Sequence, residues 1–131
     1  MQLYLDTSAL VKLVIDEPES AALRTYLGKA GHDSEFTAAT TRTELLRAVA
    51  RLSDADITRH AALLLRRLSF VAITTGLLDT AAALEPPTLR TLDALHLAAA
   101  LSAPDLRALV TYDVRLAAAA ARAGVEVAAP R

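Results

Sequence analysis

The sequence predicts an α/β fold with a parallel sheet covered by helices, on three observations. Short apolar runs alternate with helical stretches along the whole chain, the pattern of parallel strands joined by crossover helices. The composition is 53% hydrophobic but only 4% aromatic, without Trp and rich in Ala and Leu, which suits close-packed helices better than an all-β sandwich. With 131 residues and neither linker nor repeat, the chain reads as one domain over 1–131. A chain of that length buries roughly two thirds of the surface its unfolded form exposes.

Strands are expected at Leu3 to Leu5, Phe36 to Ala38, Phe70 to Ile73, Ala108 to Thr111 and, with the least apolar support, Val125 to Val127. The first helix opens at Thr7 or Ser8, carries Ala9 to Ile15 and stops near Asp16-Glu17-Pro18. Pro18 then provides the first turn of a second helix, which passes Leu23 and Leu27 and ends at Gly28. A third spans about Thr40 to Leu52, and Ser53 or Asp54 caps a fourth that runs to about Leu68. Gly76 to Leu84 forms a short fifth, Pro86-Pro87 imposes an extended connection, and Asp93 opens the sixth, Ala94 to Leu101. The last helix, Val114 to Ala123, stops at Gly124.

Composition excludes several chemistries. Without Cys there is no disulfide framework, thiolate nucleophile or Cys-ligated zinc. The start of the chain lacks a basic segment and meets Asp6 too early for a signal peptide, and no apolar run is long enough for a membrane span, so a soluble cytoplasmic protein is expected. Net charge is only −1, but 12 of the 14 basic residues are Arg. Planar guanidinium groups suit bidentate phosphate contact; a GC-rich genome accounts for them equally well.

Four carboxylates, Asp6, Glu44, Asp93 and Asp113, are the candidate functional residues. Asp6 and Asp113 end apolar strand candidates, and ligands of open α/β sheets bind at the carboxyl ends of strands. Each has an ordinary alternative. Asp6, Asp93 and Asp113 all precede helices that they can cap. Glu44 lies at the margin of an apolar face made by Leu45, Val49 and Leu52, where it either pairs with Arg47 on the surface or points inward while Arg47 and Arg51 face a phosphate-bearing ligand. Taken together, carboxylates about 4 Å apart repel by several kcal/mol at an effective dielectric near 20, so a cluster needs a cation or protons at neutral pH. Oxygen donors favour Mg²⁺ or Mn²⁺ over zinc, and such ions serve phosphoryl transfer.

The segments that carry the acids resemble a known family. Tyr4 to Leu13 with Glu17-Pro18-Glu19-Ser20, Thr43 to Ala48, Leu92 to Ala100, and Leu109 to Asp113 with Leu116-Ala117 and Ala120-Ala121 are similar, in order, to PIN-domain ribonucleases, specifically to VapC toxins of bacterial type II toxin–antitoxin pairs. The resemblance implies a three-layer α/β/α sandwich around a parallel sheet of four to five strands in the order 3-2-1-4-5. It implies that Asp6, Glu44, Asp93 and Asp113 surround one or two divalent metals, with the hydroxyls of Ser8 and Thr111 beside them. The activity implied is metal-assisted hydrolysis of RNA, tRNA or rRNA, to inhibit translation and growth. A homodimer and a cognate VapB-type antitoxin are the implied partners. Some members carry a further acid after the last one; here Val114, Arg115 and Leu116 follow, which bears on the second metal.

The remaining signals divide. His96 follows Asp93 by three residues and is read as a support to the metal site, an RNA contact or a packing residue. Arg90 either binds phosphate or holds an acid. His32 and His60 read as solvent or packing residues, Asp54 and Asp56 as helix-start acids, and Lys12 as a surface lysine. Ile57, Leu63, Leu64, Leu65 and Leu68 of the fourth helix read as core rather than as a contact surface. A haloacid dehalogenase-type site would need an acid where Ser8 stands, and a receiver domain would need a late lysine. The serious alternative is a non-catalytic PIN-like module that binds protein or RNA.

Overall fold

A computed structural model describes residues 1–131. Parallel central strands are covered on both faces, so they appear as continuous apolar runs. Those runs form β1 (Gln2–Leu5) and β4 (Leu106–Val110), which pair in the middle of the sheet. With β2 (Ser34–Ala38), β3 (Ser69–Val71) and β5 (Val127–Ala128) they make a five-stranded, all-parallel sheet of order β3-β2-β1-β4-β5. This is the expected order. The chain steps outward from β1 to β3, then returns to lay β4 on the other side of β1, so the topological switch point lies between β1 and β4.

Period-two alternation sorts the side chains into two layers. Leu3, Leu5, Ala108 and Val110 face one side, against α1 (Thr7–Val14), α2 (Ser20–Lys29), α3 (Ala39–Ala50) and α4 (Ala55–Arg67). Tyr4, Phe36, Ala38 and Leu109 face the other, against α6 (Thr91–Leu101) and α7 (Val114–Arg122), while α5 (Thr75–Ala82) packs on α6 through Leu77 and Ala81. The architecture is the three-layer α/β/α sandwich. No helix is long and apolar enough to cross a membrane.

Several boundaries differ from expectation. The second helix begins at Ser20, after a turn at Pro18 and Glu19, and continues through Gly28, an exposed glycine whose absent side chain would meet nothing, to Lys29. α3 ends at Ala50, the turn that follows it closes at Ser53, held at φ +50, and Asp54 caps α4 by accepting from the N–H groups of Asp56 and Ile57. Pro86-Pro87 does not impose an extended connection: the Leu89 N–H donates to the Pro86 carbonyl at 2.9 Å, closing a turn whose second residue is Pro87, the position proline favours. In α4, Leu64, Leu65 and Leu68 are core, whereas Leu63 points outward. Gly124 stops α7 at φ +82, as expected.

Candidate active site

Asp6 follows the last residue of β1, and the pairing of Leu5 with Val110 places it beside Thr111 at the end of β4. Its carboxylate is 4% exposed and fully bonded. Oδ1 accepts from Ser8 Oγ at 2.7 Å and from the Ala9 N–H at 3.0 Å; Oδ2 accepts from Thr111 Oγ1 at 2.6 Å. Asp6 is therefore the N-cap of α1 and a candidate ligand at once. Burial pushes its proton affinity up, and the Thr111 and Ser8 hydroxyls partly offset that. Ser8 Oγ also accepts from the Tyr112 N–H, tying the start of α1 to the segment after β4, and Thr111 Oγ1 accepts from the Asp113 N–H within that segment. Asp113 caps α7 through Oδ1 alone, which accepts from the N–H groups of Arg115 and Leu116.

Asp93 departs from the capping expectation. α6 begins two residues earlier, at Thr91, so Arg90 occupies the N-cap position and makes no side-chain cap bond. The Asp93 carboxylate lies in the first turn, and its Oδ2 is buried without any hydrogen-bond partner. Burial and the neighbouring Asp113 both raise its proton affinity; His96 and Arg90 lower it, and Asp6 adds to the rise. Asp93 is thus coupled electrostatically to both Asp113 and Asp6. As placed, no three carboxylates or imidazoles of the chain lie close enough together to hold one ion.

Glu44 is engaged elsewhere. It forms no ion pair with Arg47; its Oε1 meets Nε2 of His96 at 2.9 Å. The other nitrogen of His96 meets the Tyr4 hydroxyl at 2.6 Å, and that oxygen also accepts from the Ala38 N–H at 3.2 Å. At 3% exposure His96 cannot touch RNA, which removes one of its readings. Tyr4, in the middle of β1, holds the ring from below, and its burial keeps the phenol protonated far above neutral pH. Sequence reasoning missed Tyr4. It also missed Thr7, whose Oγ1 is buried and unpartnered. Thr7, Glu44, Arg47, Arg51 and the exposed Leu92 line an open groove of about 660 Å³.

The weaker candidates take structural places. Lys12 is mostly buried, 2.8 Å from Glu19 and above the Tyr112 ring, so it is an internal ion-pair residue and not a surface lysine. Asp56 pairs with Arg59 on the surface of α4; His32 and His60 are exposed, away from the acids. Arg90 bonds no acid and faces solvent.

A three-layer sandwich of this strand order, with acids gathered at its switch point, matches a family model: residues 3–122 match the PIN domain. The chain belongs to the PIN-domain family, among its VapC-type members. It is 43% identical over 131 residues to Ribonuclease VapC47 of Mycobacterium tuberculosis (strain CDC 1551 / Oshkosh), covering 98% of this chain and 96% of that protein. The identity is also 43% to Ribonuclease VapC46 of strain ATCC 25618 / H37Rv, over 130 residues, with 98% of this chain and 97% of that protein covered. Ribonuclease VapC35 of Mycobacterium tuberculosis is similar to the same degree, 43% over 131 residues, with 98% and 96% covered.

Proposed function

We propose that this chain, acting as a single PIN domain in the cytoplasm, is a divalent-metal-dependent endoribonuclease and the toxin half of a type II toxin–antitoxin pair. The observation that carries this reading is the buried, unbonded Oδ2 of Asp93 in the company of Asp6 and Asp113. A buried acceptor with no donor costs about 1 to 3 kcal/mol, and like charges beside it add to that, so the arrangement is stable only with a counterion or a proton. An all-oxygen donor set fits Mg²⁺ or Mn²⁺. Asp6, Asp93 and Asp113 would hold the ion, and Glu44 would join them through the oxygen that His96 leaves free. The ribonuclease names of the relatives support RNA as substrate.

A bound divalent ion supplies acidified water and charge neutralisation on the phosphate. The protein's own side chains orient. Ser8 and Thr111 donate to both oxygens of Asp6 and fix its direction. His96, braced by Tyr4, fixes Glu44. Arg47 and Arg51 line the groove beside Glu44 and take RNA phosphates. The target is tRNA or rRNA, whose cleavage stops growth; a VapB-type antitoxin silences the site, and the working unit is a homodimer.

One observation favours a second reading, a non-catalytic binding module: Asp6 and Asp113 are both occupied as N-caps. Titration with Mn²⁺ or Mg²⁺ while following the melting temperature separates the two. A site filled at a hundredfold excess over its Kd stabilises by about 2.7 kcal/mol. Absence of any shift, together with undiminished RNA cleavage by Asp93→Ala, would remove the metal site from the acids, and absence of cleavage by the unaltered chain would remove the nuclease assignment. Asp93 is the better probe than Asp6, because removing the Asp6 carboxylate also strands the hydroxyls of Ser8 and Thr111.

A further inference from the structure

A second groove, about 520 Å³, opens on the α7 side of the acids, and three arginines line it: Arg90, Arg115 and Arg122. None has a carboxylate within ion-pair distance, and no acid lines the groove. Local stability does not account for them. Arg90 occupies the N-cap of α6, where Ser, Thr, Asp or Asn is preferred, and Arg115 lies in the first turn of α7, where a cation opposes the helix dipole. Only Arg122, in the last turn, is favoured by its helix. Arg115 and Arg122 are seven residues apart, two turns of one helix face, so the groove presents charge as a line of about 10 Å.

The groove is linked to the acids through its lining residues. Arg115 donates its backbone N–H to Asp113, and Arg90 stands three residues before Asp93 at the start of the same helix. Across the acids lies the first groove with Arg47 and Arg51. Five unpaired guanidinium groups therefore flank the acids in a chain whose net charge is −1. A line of positive charge running through a centre suits an evenly charged polyanion better than a peptide with scattered acids. The floor, Leu89 and Ala119, offers apolar surface on which a ribose or base can lie. A concave groove of this size admits one strand, whereas an A-form duplex presents a broad convex face.

We infer that Arg90, Arg115 and Arg122 form a phosphate-binding groove that seats one flank of a single-stranded RNA segment as it leaves the acids. This rests on the nuclease reading for its choice of RNA. Binding is measured by fluorescence anisotropy with a short labelled single-stranded oligoribonucleotide, on an Asp93→Asn background so that the strand stays intact. Adding Arg115→Ala and Arg122→Ala is expected to weaken binding about tenfold at low salt. The slope of log K against log salt should become shallower by about 1.4, that is about 0.7 for each lost phosphate contact. Lysine at both positions should restore most of the slope. Equal affinity and slope in the alanine variant, no binding of the single strand, or better competition by an acidic peptide or by duplex RNA of equal charge would each overturn the groove. The nuclease reading has its own readouts: if the arginine variant keeps the Mn²⁺ shift in melting temperature and still cleaves, but binds RNA like its parent, only the groove is lost. If the unaltered chain shows neither shift nor cleavage, the nuclease reading is lost, and the binding data alone judge the groove.

Discussion

The two ends of the sheet treat their carboxylates in opposite ways. At the amino end, Asp33 lies just before β2 and meets Arg107 of β4 through two hydrogen bonds, and the guanidinium holds its proton affinity below the usual carboxylate range. At the carboxyl end, Asp93 lies within electrostatic reach of Asp6 and Asp113, and burial raises the proton affinity of Asp6 and Asp93. One end pairs its acid with a guanidinium of the fold, and the other sets its acids beside one another. Carboxylates of perturbed proton affinity cluster at functional sites, which is the ground for the role proposed for the second group.

The largest test of this contrast is Asp93→Asn. RNA cleavage is expected to fall by two to three orders of magnitude, on the scale of several kcal/mol of transition-state stabilisation. In chelator the variant should melt no lower than the parent, because a repelled carboxylate has been removed, and its stabilisation by Mn²⁺ should vanish. A variant that melts lower in chelator and still responds to Mn²⁺ would make Asp93 a structural acid like Asp33.

Next in size is the brace behind Glu44. His96→Gln is expected to lower metal affinity or cleavage by about 10- to 100-fold, the range for residues that orient ligands. Tyr4→Phe strands the Ala38 N–H and the His96 nitrogen, costing about 1 to 3 kcal/mol of stability and a smaller share of activity. Calorimetric titration with Mn²⁺ distinguishes the two effects. If both variants lose stability while metal affinity and cleavage hold, His96 only fills the core.

What the sequence showed and hid follows from the range of each interaction. β1 and β4 were legible because Leu3-Tyr4-Leu5 and Ala108-Leu109-Val110 are buried on both faces, leaving no polar interruption. Gly28 misled because a glycine with open space around it and an ordinary negative φ is tolerated within a helix at a cost of about 1 kcal/mol. Asp93 looked like a cap because its neighbours fit one; the helix start two residues earlier turned the same carboxylate from a bonded cap into an orphan. Glu44 and Arg47 sit at pairing distance along a helix, yet His96, 52 residues away, takes the carboxylate. Tyr4 and His96 are 92 residues apart, so no local rule joins them. The sequence offered the acids, the hydroxyls of Ser8 and Thr111 and the imidazole of His96 as candidates, but neither Tyr4 nor the contact that joins His96 to Glu44.

The smallest effect belongs to the amino end. Arg107→Ala should leave cleavage unchanged and lower the melting temperature slightly, by an amount that ~1 M salt erases in the parent, since exposed pairs are screened. The pH dependence of the two ends has opposite sign. Asp33 has a lowered folded-state pKa, so its contribution is present above the unfolded value of about 3.9 and is lost as pH falls through the folded value. Asp6 and Asp93 have raised folded-state pKa values, so each destabilises the metal-free fold when ionised, and that penalty is relieved as pH falls from neutral through the folded value. Melting curves in chelator should therefore rise on mild acidification, then fall once Asp33 and other paired carboxylates protonate. With Mn²⁺ bound the first rise should flatten, because ionisation is then favoured; Asp93→Asn should flatten it without metal, and Arg107→Ala should blunt only the fall. A rise on acidification that survives both Mn²⁺ and Asp93→Asn would mean that the strain lies outside the acids, and the contrast between the two ends would no longer explain it.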